Sequence, residues 1–178
     1  MICPLWMVMN LKSHIHPHKL FEMILLSLFG VLMYISQVIM QALPNIEIVS
    51  LLIILITRKF GVRALYSIYV FVGCEILTYG IGIWNINYLY VWLILWLAVY
   101  ILRKIDNTIV YALISAIFGI LFGSFCSIPY FLIGGFSMGM ANIIAGINFD
   151  FLHFAGNLIL TLLLYRPLTN IMNKLIKR

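Results

Sequence analysis

Charge is what this chain has least of. Among its 178 residues only 9% are Asp, Glu, Lys or Arg, and just 5 of them are acidic, whereas an ordinary soluble domain is about 25% charged. That shortage excludes a soluble globular protein, because a folded sphere of this size needs polar side chains to clothe it. Paired cysteines are missing as well. Cys3, Cys74 and Cys126 are an odd number with neither a disulfide framework nor zinc-like spacing, which leaves them as thiols. The chain contains no Gly-x-x-x-x-Gly-Lys-Ser/Thr phosphate loop and no His-Glu-x-x-His. It therefore offers no ATPase of the usual kind, and transport against a gradient would have to be driven from elsewhere. Despite a net charge of +6, no basic run with interleaved polar residues occurs, so nucleic acid is not an expected partner. Nor does a small-residue cleavage site follow the first apolar run, which argues against a removed signal peptide.

What the chain does have is hydrocarbon: 65% of its residues are hydrophobic. Its solvent must be lipid. Six spans of about 20 residues would use roughly 120, leaving short connections, so the length favours an all-α, six-helix integral membrane bundle. The apolar runs predict spans over 20–42, 46–57, 62–83, 88–102, 108–126 and 149–164. Pro44-Asn45 stops the first, since proline removes a donor and turns the preceding residue away from helix. Arg58-Lys59 closes the short second span, a turn is expected at Trp84-Asn85-Ile86-Asn87, and Arg103-Lys104 closes the fourth. A Gly-rich apolar stretch over 127–148 leads into the sixth. The runs are too long and too continuous for barrel strands, which would alternate over about ten residues. The expected organisation is a disordered cytoplasmic leader over 1–19, the six-span domain over 20–168 and a basic tail over 169–178.

The cations test this arrangement. With the N-terminus inside, Lys12 and Lys19, then Arg58, Lys59 and Arg63, then Arg103 and Lys104, then Arg166, Lys174, Lys177 and Arg178 all fall on the cytoplasmic side, and these are all 11 of the Lys and Arg residues. One missed helix would destroy that asymmetry, so both termini are expected in the cytoplasm.

The outer side then holds the polar and aromatic groups: Asn45, Glu47, Trp84, Asn85, Asn87, Tyr88, Tyr90, Asn142 and Asp150. They line an outward-facing pocket or, for the aromatics, act as interfacial anchors. Asp150, His153 and Asn157 share one helix face by their offsets of three and four, and Thr161 extends it. That face must meet the bundle interior or a polar cavity, because an ionised Asp at mid-bilayer costs about 2.5–3.5 kcal/mol. It either contributes to a ligand site or caps the helix and bonds to its neighbours. Glu75, alone in the third span, needs a buried partner such as His153, or a proton. His14, His16 and His18 alternate before the first span and imidazoles suit zinc, nickel or copper. Pro17 interrupts them, however, and only Glu22 lies near enough in sequence to complete a tetrahedron, so no metal site is expected. Small residues at Ala112, Ala116, Gly119 and Gly123 give the fifth span a face for close helix approach, and Ser27 with Gly30 gives the first span a weaker one, open to a partner subunit.

The stretches LPNIEIVSLLIILITRKFG (43–61), WNINYLYVW (84–92) and GINFDFLHFAGN (146–157) resemble the substrate-binding S components of energy-coupling factor (ECF) vitamin transporters, and the likeness in order and spacing spans about 20–168. The resemblance implies a multi-pass subunit of a prokaryotic plasma membrane that holds a vitamin-like substrate near the outer surface, uses no cofactor and has no ATPase of its own. It implies partnership with a transmembrane T component and two cytoplasmic ABC-type ATPases, and toppling of the loaded subunit within the membrane. Small residues on the first helix of such proteins, often Ala-x-x-x-Ala, contact the T component. Here Ser27 and Gly30 stand nearest to that pattern, with Tyr34 where a small residue would be expected. The substrate-binding candidates are Asn45, Glu47, Glu75, Trp84, Asn85, Tyr88, Asp150, His153 and Asn157. Alternatives from other classes are a small intramembrane enzyme using Glu75, Asp150 and His153 as acid-base groups, and a purely structural membrane subunit.

Overall fold

The computed structural model describes residues 17–43 and 46–176. Among the described residues the fold is all helical, without a strand. In chain order come α1 (Pro17–Met40), α2 (Val49–Phe60), a 3-10 turn (Gly61–Arg63), α3 (Ala64–Tyr79), α4 (Ile83–Leu102), α5 (Thr108–Cys126) and α6 (Ile128–Leu175). Five stretches are long and apolar enough to cross a membrane: α1 from Lys19, α2 and α3 taken together with their turn, α4, α5 and α6.

Local chemistry sets the boundaries. Asn107 caps α5, its side-chain oxygen accepting from the Ile109 and Val110 amides at 2.8 and 3.4 Å. Between α2 and α3 the chain turns at Gly61, whose φ of 61° is open to glycine and strained for other residues. The turn expected at residues 84–87 lies earlier, at Gly80–Gly82. Asn85 sits in the first turn of α4, where its side-chain oxygen accepts from the Gly82 amide and starts the helix that Trp84-Asn85-Ile86-Asn87 was expected to precede. The Gly-rich stretch also differs from expectation, being helical and part of α6 apart from a break at Gly135 (φ 70°, ψ −167°). Glycine weakens helices in water, but in an apolar solvent the backbone must satisfy its own hydrogen bonds, and the intervening Ile, Phe, Met and Ala carry the helix. At Gly135 the chain folds back, so that Asn142 donates to the Ser127 hydroxyl at 2.8 Å.

Side-chain contacts fix the helix directions. α1 and α3 run parallel, with Arg63 paired to Glu22 at their starts, the Ser67 hydroxyl donating to the Leu26 carbonyl at 2.6 Å, and Tyr34 meeting Thr78 at 2.8 Å near their ends. α2 runs alongside α6, Ser50 meeting Asn157 and Lys59 meeting Asn173. α4 descends from Tyr88, which receives a hydrogen bond from Gln37 near the end of α1, to Trp96, which donates to the Gly61 carbonyl. α5 opposes α4 through Tyr90 on the Phe125 carbonyl and Tyr111 on the Leu102 carbonyl. α6 opposes α5 through Asp150 on the Gly123 amide and Arg166 on Thr108. Direction therefore alternates from each helix to the next. α2 spans only 12 residues, about 18 Å, and it is buried from Val49 to Thr57. An all-round apolar sequence belongs at the centre of a bundle.

Close approach uses the small residues. A Cβ on Gly119 would lie 2.8 Å from the His153 carbonyl carbon, and one on Gly123 would lie 2.5 Å from the Asp150 carboxylate, so the α5 face receives α6. Gly30 is buried in the same manner, since its Cβ would stand 2.6 Å from the Ser67 carbonyl oxygen of α3. The two residues of the expected docking pair, Ser27 and Gly30, are thus placed differently. Gly30 serves an internal contact, and Ser27 alone is exposed, its hydroxyl returned to the Met23 carbonyl.

Charge separates along the bundle. The described lysines and arginines gather at one end: Lys19 in the first turns of α1, Arg58, Lys59 and Arg63 around the α2–α3 turn, Arg103 and Lys104 after α4, and Arg166 and Lys174 on late α6. Asp106 joins them, 2.9 Å from Arg166 and 3.2 Å from Arg58. The Arg166 hydrogen bond, reinforced by Arg58, holds the Asp106 carboxyl below its ordinary value. Glu47, Glu75 and Asp150 lie toward the opposite end.

Candidate functional site

At the acidic end the helices enclose a cavity of about 290 Å³. Gln37 and Gln41 reach it from the end of α1, Glu47 from the connection into α2, Tyr79 and Tyr88 from α3 and α4, and Phe122 and His153 from α5 and α6. A second hollow of about 300 Å³ shares Tyr79 and Tyr88 and adds Glu75 and Trp84.

The arrangement begins with backbone packing. Because Gly119 lets α6 approach α5, the His153 ring stands at the cavity wall with only 2% of its surface exposed. Phe122 meets that ring at 4.9 Å and 66°, holding it from the side. Nε2 of His153 lies 3.5 Å from a carboxylate oxygen of Glu47, yet neither ring nitrogen nor that oxygen has a hydrogen-bond partner. The side-chain oxygen of Gln37 is unpartnered too, although its amide donates to the Tyr88 hydroxyl at 3.2 Å. Buried polar groups are normally paired, and each left unmade costs about 1–3 kcal/mol. Three such groups around one cavity give it unspent donor and acceptor capacity. Its aromatic wall is a ladder of edge contacts, with Tyr88 5.4 Å from Trp84 and 5.5 Å from Trp92, and Tyr79 6.4 Å from Trp84. These rings present faces and edges suited to stacking against a planar guest.

The site candidates divide into two groups. Glu47, Glu75, Trp84, Tyr88 and His153 come together around the joined hollows. Asn85, Asp150 and Asn157 instead bond the fold. Asn85 starts α4, Asp150 accepts from the Gly123 amide at 2.9 Å, and Asn157 donates to the Ser115 carbonyl at 3.0 Å and to Ser50 at 3.3 Å. Asn45, His14 and His16, and the His18 side chain, lie outside the described residues. The partner expected for Glu75 is different from the one observed for His153, whose neighbouring carboxylate is Glu47. Glu75, Asp150 and His153 do not share a wall, since Asp150 is turned to α5. Among the described residues no cluster of three or more metal-ligating side chains occurs.

Sequence reasoning passed over Gln37, Gln41, Tyr79 and Phe122. The signal for the two amides was present: they stand four apart where the apolar run of α1 gives way to the following turn. Phe122 gives no such signal, because an aromatic in an apolar span is ordinary core. Set against family models, curated proteins and solved structures, the chain matches none of them.

Proposed function

We propose that this chain is the membrane-embedded substrate-binding subunit of an ECF-type importer, crossing the membrane six times with both termini in the cytoplasm. It captures a vitamin-like micronutrient from outside, and a T component with two ABC-type ATPases powers uptake. One observation carries the reading: the buried His153 ring, with both nitrogens unpartnered, and a half-buried Glu47 with one unpartnered carboxylate oxygen face a cavity with aromatic walls at the end of the bundle opposite the lysines and arginines.

The topology rests on direction and charge together. Alternation of the helices supports a separate pass for α2 despite its length, because neighbours surround it on all sides. The cationic end then faces the cytoplasm, as the positive-inside rule requires, and the cavity faces outward. A planar ring would stack among Tyr79, Trp84 and Tyr88 while Glu47, His153 and Gln37 bond its polar edge. With Glu47 and Glu75 near the guest and no lysine or arginine lining either hollow, a cationic or neutral heterocycle suits the site better than a polyanion. No bond is made or broken in the guest.

Mass spectrometry of small molecules released from protein purified in mild detergent tests the proposal directly. A heterocyclic micronutrient should copurify and rebind stripped protein, and should rebind Tyr88→Ala more weakly. Failure of stripped, folded protein to bind any of a panel of B vitamins, cobalamin, biotin and queuosine precursors overturns it.

A further inference from the structure

At the cationic end, a cavity of about 340 Å³ is lined by Arg58, Lys59, Arg63 and Arg103 and by no acidic residue. Arg58 and Arg63 have carboxylate partners, but Lys59 and Arg103 form no ion pair among the described residues. Arg103 is preset in position: its guanidinium lies 4.1 Å over the Tyr100 ring and against Gly61, where a Cβ would come within 2.8 Å of it. The turn that reverses the chain between α2 and α3 thus also leaves the space that this guanidinium occupies.

The basic cavity does not end at the turn. Val62 and Arg63 also belong to an apolar groove of about 530 Å³ that continues along α3 past Leu65, Tyr66 and Tyr69. Tyr66 is 61% exposed and Tyr69 42% exposed, so the groove opens outward, toward lipid. A cationic pocket joined to an apolar channel matches one kind of molecule in charge and in shape. We infer that this surface is a selective site for an anionic phospholipid, with its phosphate between Lys59 and Arg103 and an acyl chain along Leu65, Tyr66 and Tyr69. A free phosphate would use the first half of the site and leave the second unexplained. The inference stands apart from whatever occupies the cavity at the other end.

Native mass spectrometry of the full chain in mild detergent, with phosphatidylglycerol and phosphatidylcholine of identical chains, tests it. Phosphatidylglycerol should be retained in preference, and Lys59→Gln or Arg103→Gln should each weaken its binding about fivefold, as expected for one cation near an anionic surface. Tyr66→Ala should weaken phosphatidylglycerol while leaving the charge preference intact. Lys59 is exposed, so its variant remains informative should Arg103→Gln fail to fold. Equal retention of the two lipids, or unchanged binding by Lys59→Gln, overturns the site. Displacement of phosphatidylglycerol by millimolar inorganic phosphate overturns the lipid assignment.

Discussion

His153 and Asn157 lie one helical turn apart and are equally buried, yet they do different work. Asn157 spends its amide on Ser115 and Ser50, joining α6 to α5 and α2, whereas the His153 ring nitrogens are unspent at a cavity wall. Removing Asn157 leaves a carbonyl and a hydroxyl short of a donor, so Asn157→Ala should destabilise the fold by about 1–3 kcal/mol. Thermal unfolding in detergent should record that loss, while ligand affinity of the folded fraction stays near wild type. His153→Ala should show the reverse, with affinity falling by about 1–3 kcal/mol, roughly 5- to 150-fold, for a lost buried hydrogen bond. If His153→Ala binds normally but melts early, the histidine is structural. The sequence made the shared face of Asp150, His153 and Asn157 legible, because offsets of three and four define a stripe. It could not say which neighbour each residue meets, since the stripe curves past α5, α2 and the cavity within three turns.

Helix pairs show the same limit in another form. The extent of α5 was readable from the length of the apolar run, and its small-residue face was readable from spacing. The continuity of α6 through its glycines was not, because glycine's meaning depends on the solvent around the backbone. Contact at Gly119 links this pair to the site: His153 is where it is because nothing but hydrogen separates the α5 backbone from the His153 carbonyl. Gly119→Val should therefore push α6 away, lowering both melting temperature and ligand affinity. Gly146→Ala, at a position where an added Cβ meets nothing within 4 Å, should change neither. Parallel unfolding and binding measurements on the two variants separate helix apposition from helix propensity. On α1 the same logic assigns Gly30 to α3, so Gly30→Leu should destabilise the α1–α3 pair rather than merely block a partner. A Gly30→Leu protein that folds normally but loses uptake would reverse that assignment.

At the scale of the whole molecule, two charge poles organise everything else. The cationic pole is partly knitted by Asp106, whose lowered pKa means that its ionised form is favoured by folding. Its contribution is present above the ordinary carboxylate value of 3.8 and is lost as pH falls through and below it. Melting temperatures of wild type and Asp106→Asn should thus differ at neutral pH and converge in acid. A difference that persists unchanged in acid would trace to packing instead.

The polarity of the poles across the membrane decides whether the cavity can receive anything from outside. The sequence bears on this feature through hydrophobic length and cation spacing, whole-chain properties that tolerate errors of a turn at any boundary. Gln41 and Lys104 are both exposed and stand at opposite poles, so they report the orientation cleanly. With Cys3, Cys74 and Cys126 changed to serine, a single cysteine at position 41 should react with a membrane-impermeant thiol reagent on intact cells. One at position 104 should react only after the membrane is opened. Six passes with a cytoplasmic N-terminus require that pattern. The inverse pattern would put the arginines outside and the cavity inside, and an importer's binding subunit could not work that way round. Reaction at both positions on intact cells would mean an even number of passes between them, with α2 and α3 together making a single crossing. The alternation of helix directions counts against that outcome, because Gln37 near the end of α1 meets Tyr88 near the start of α4, so that α4 descends from the side on which α1 ends.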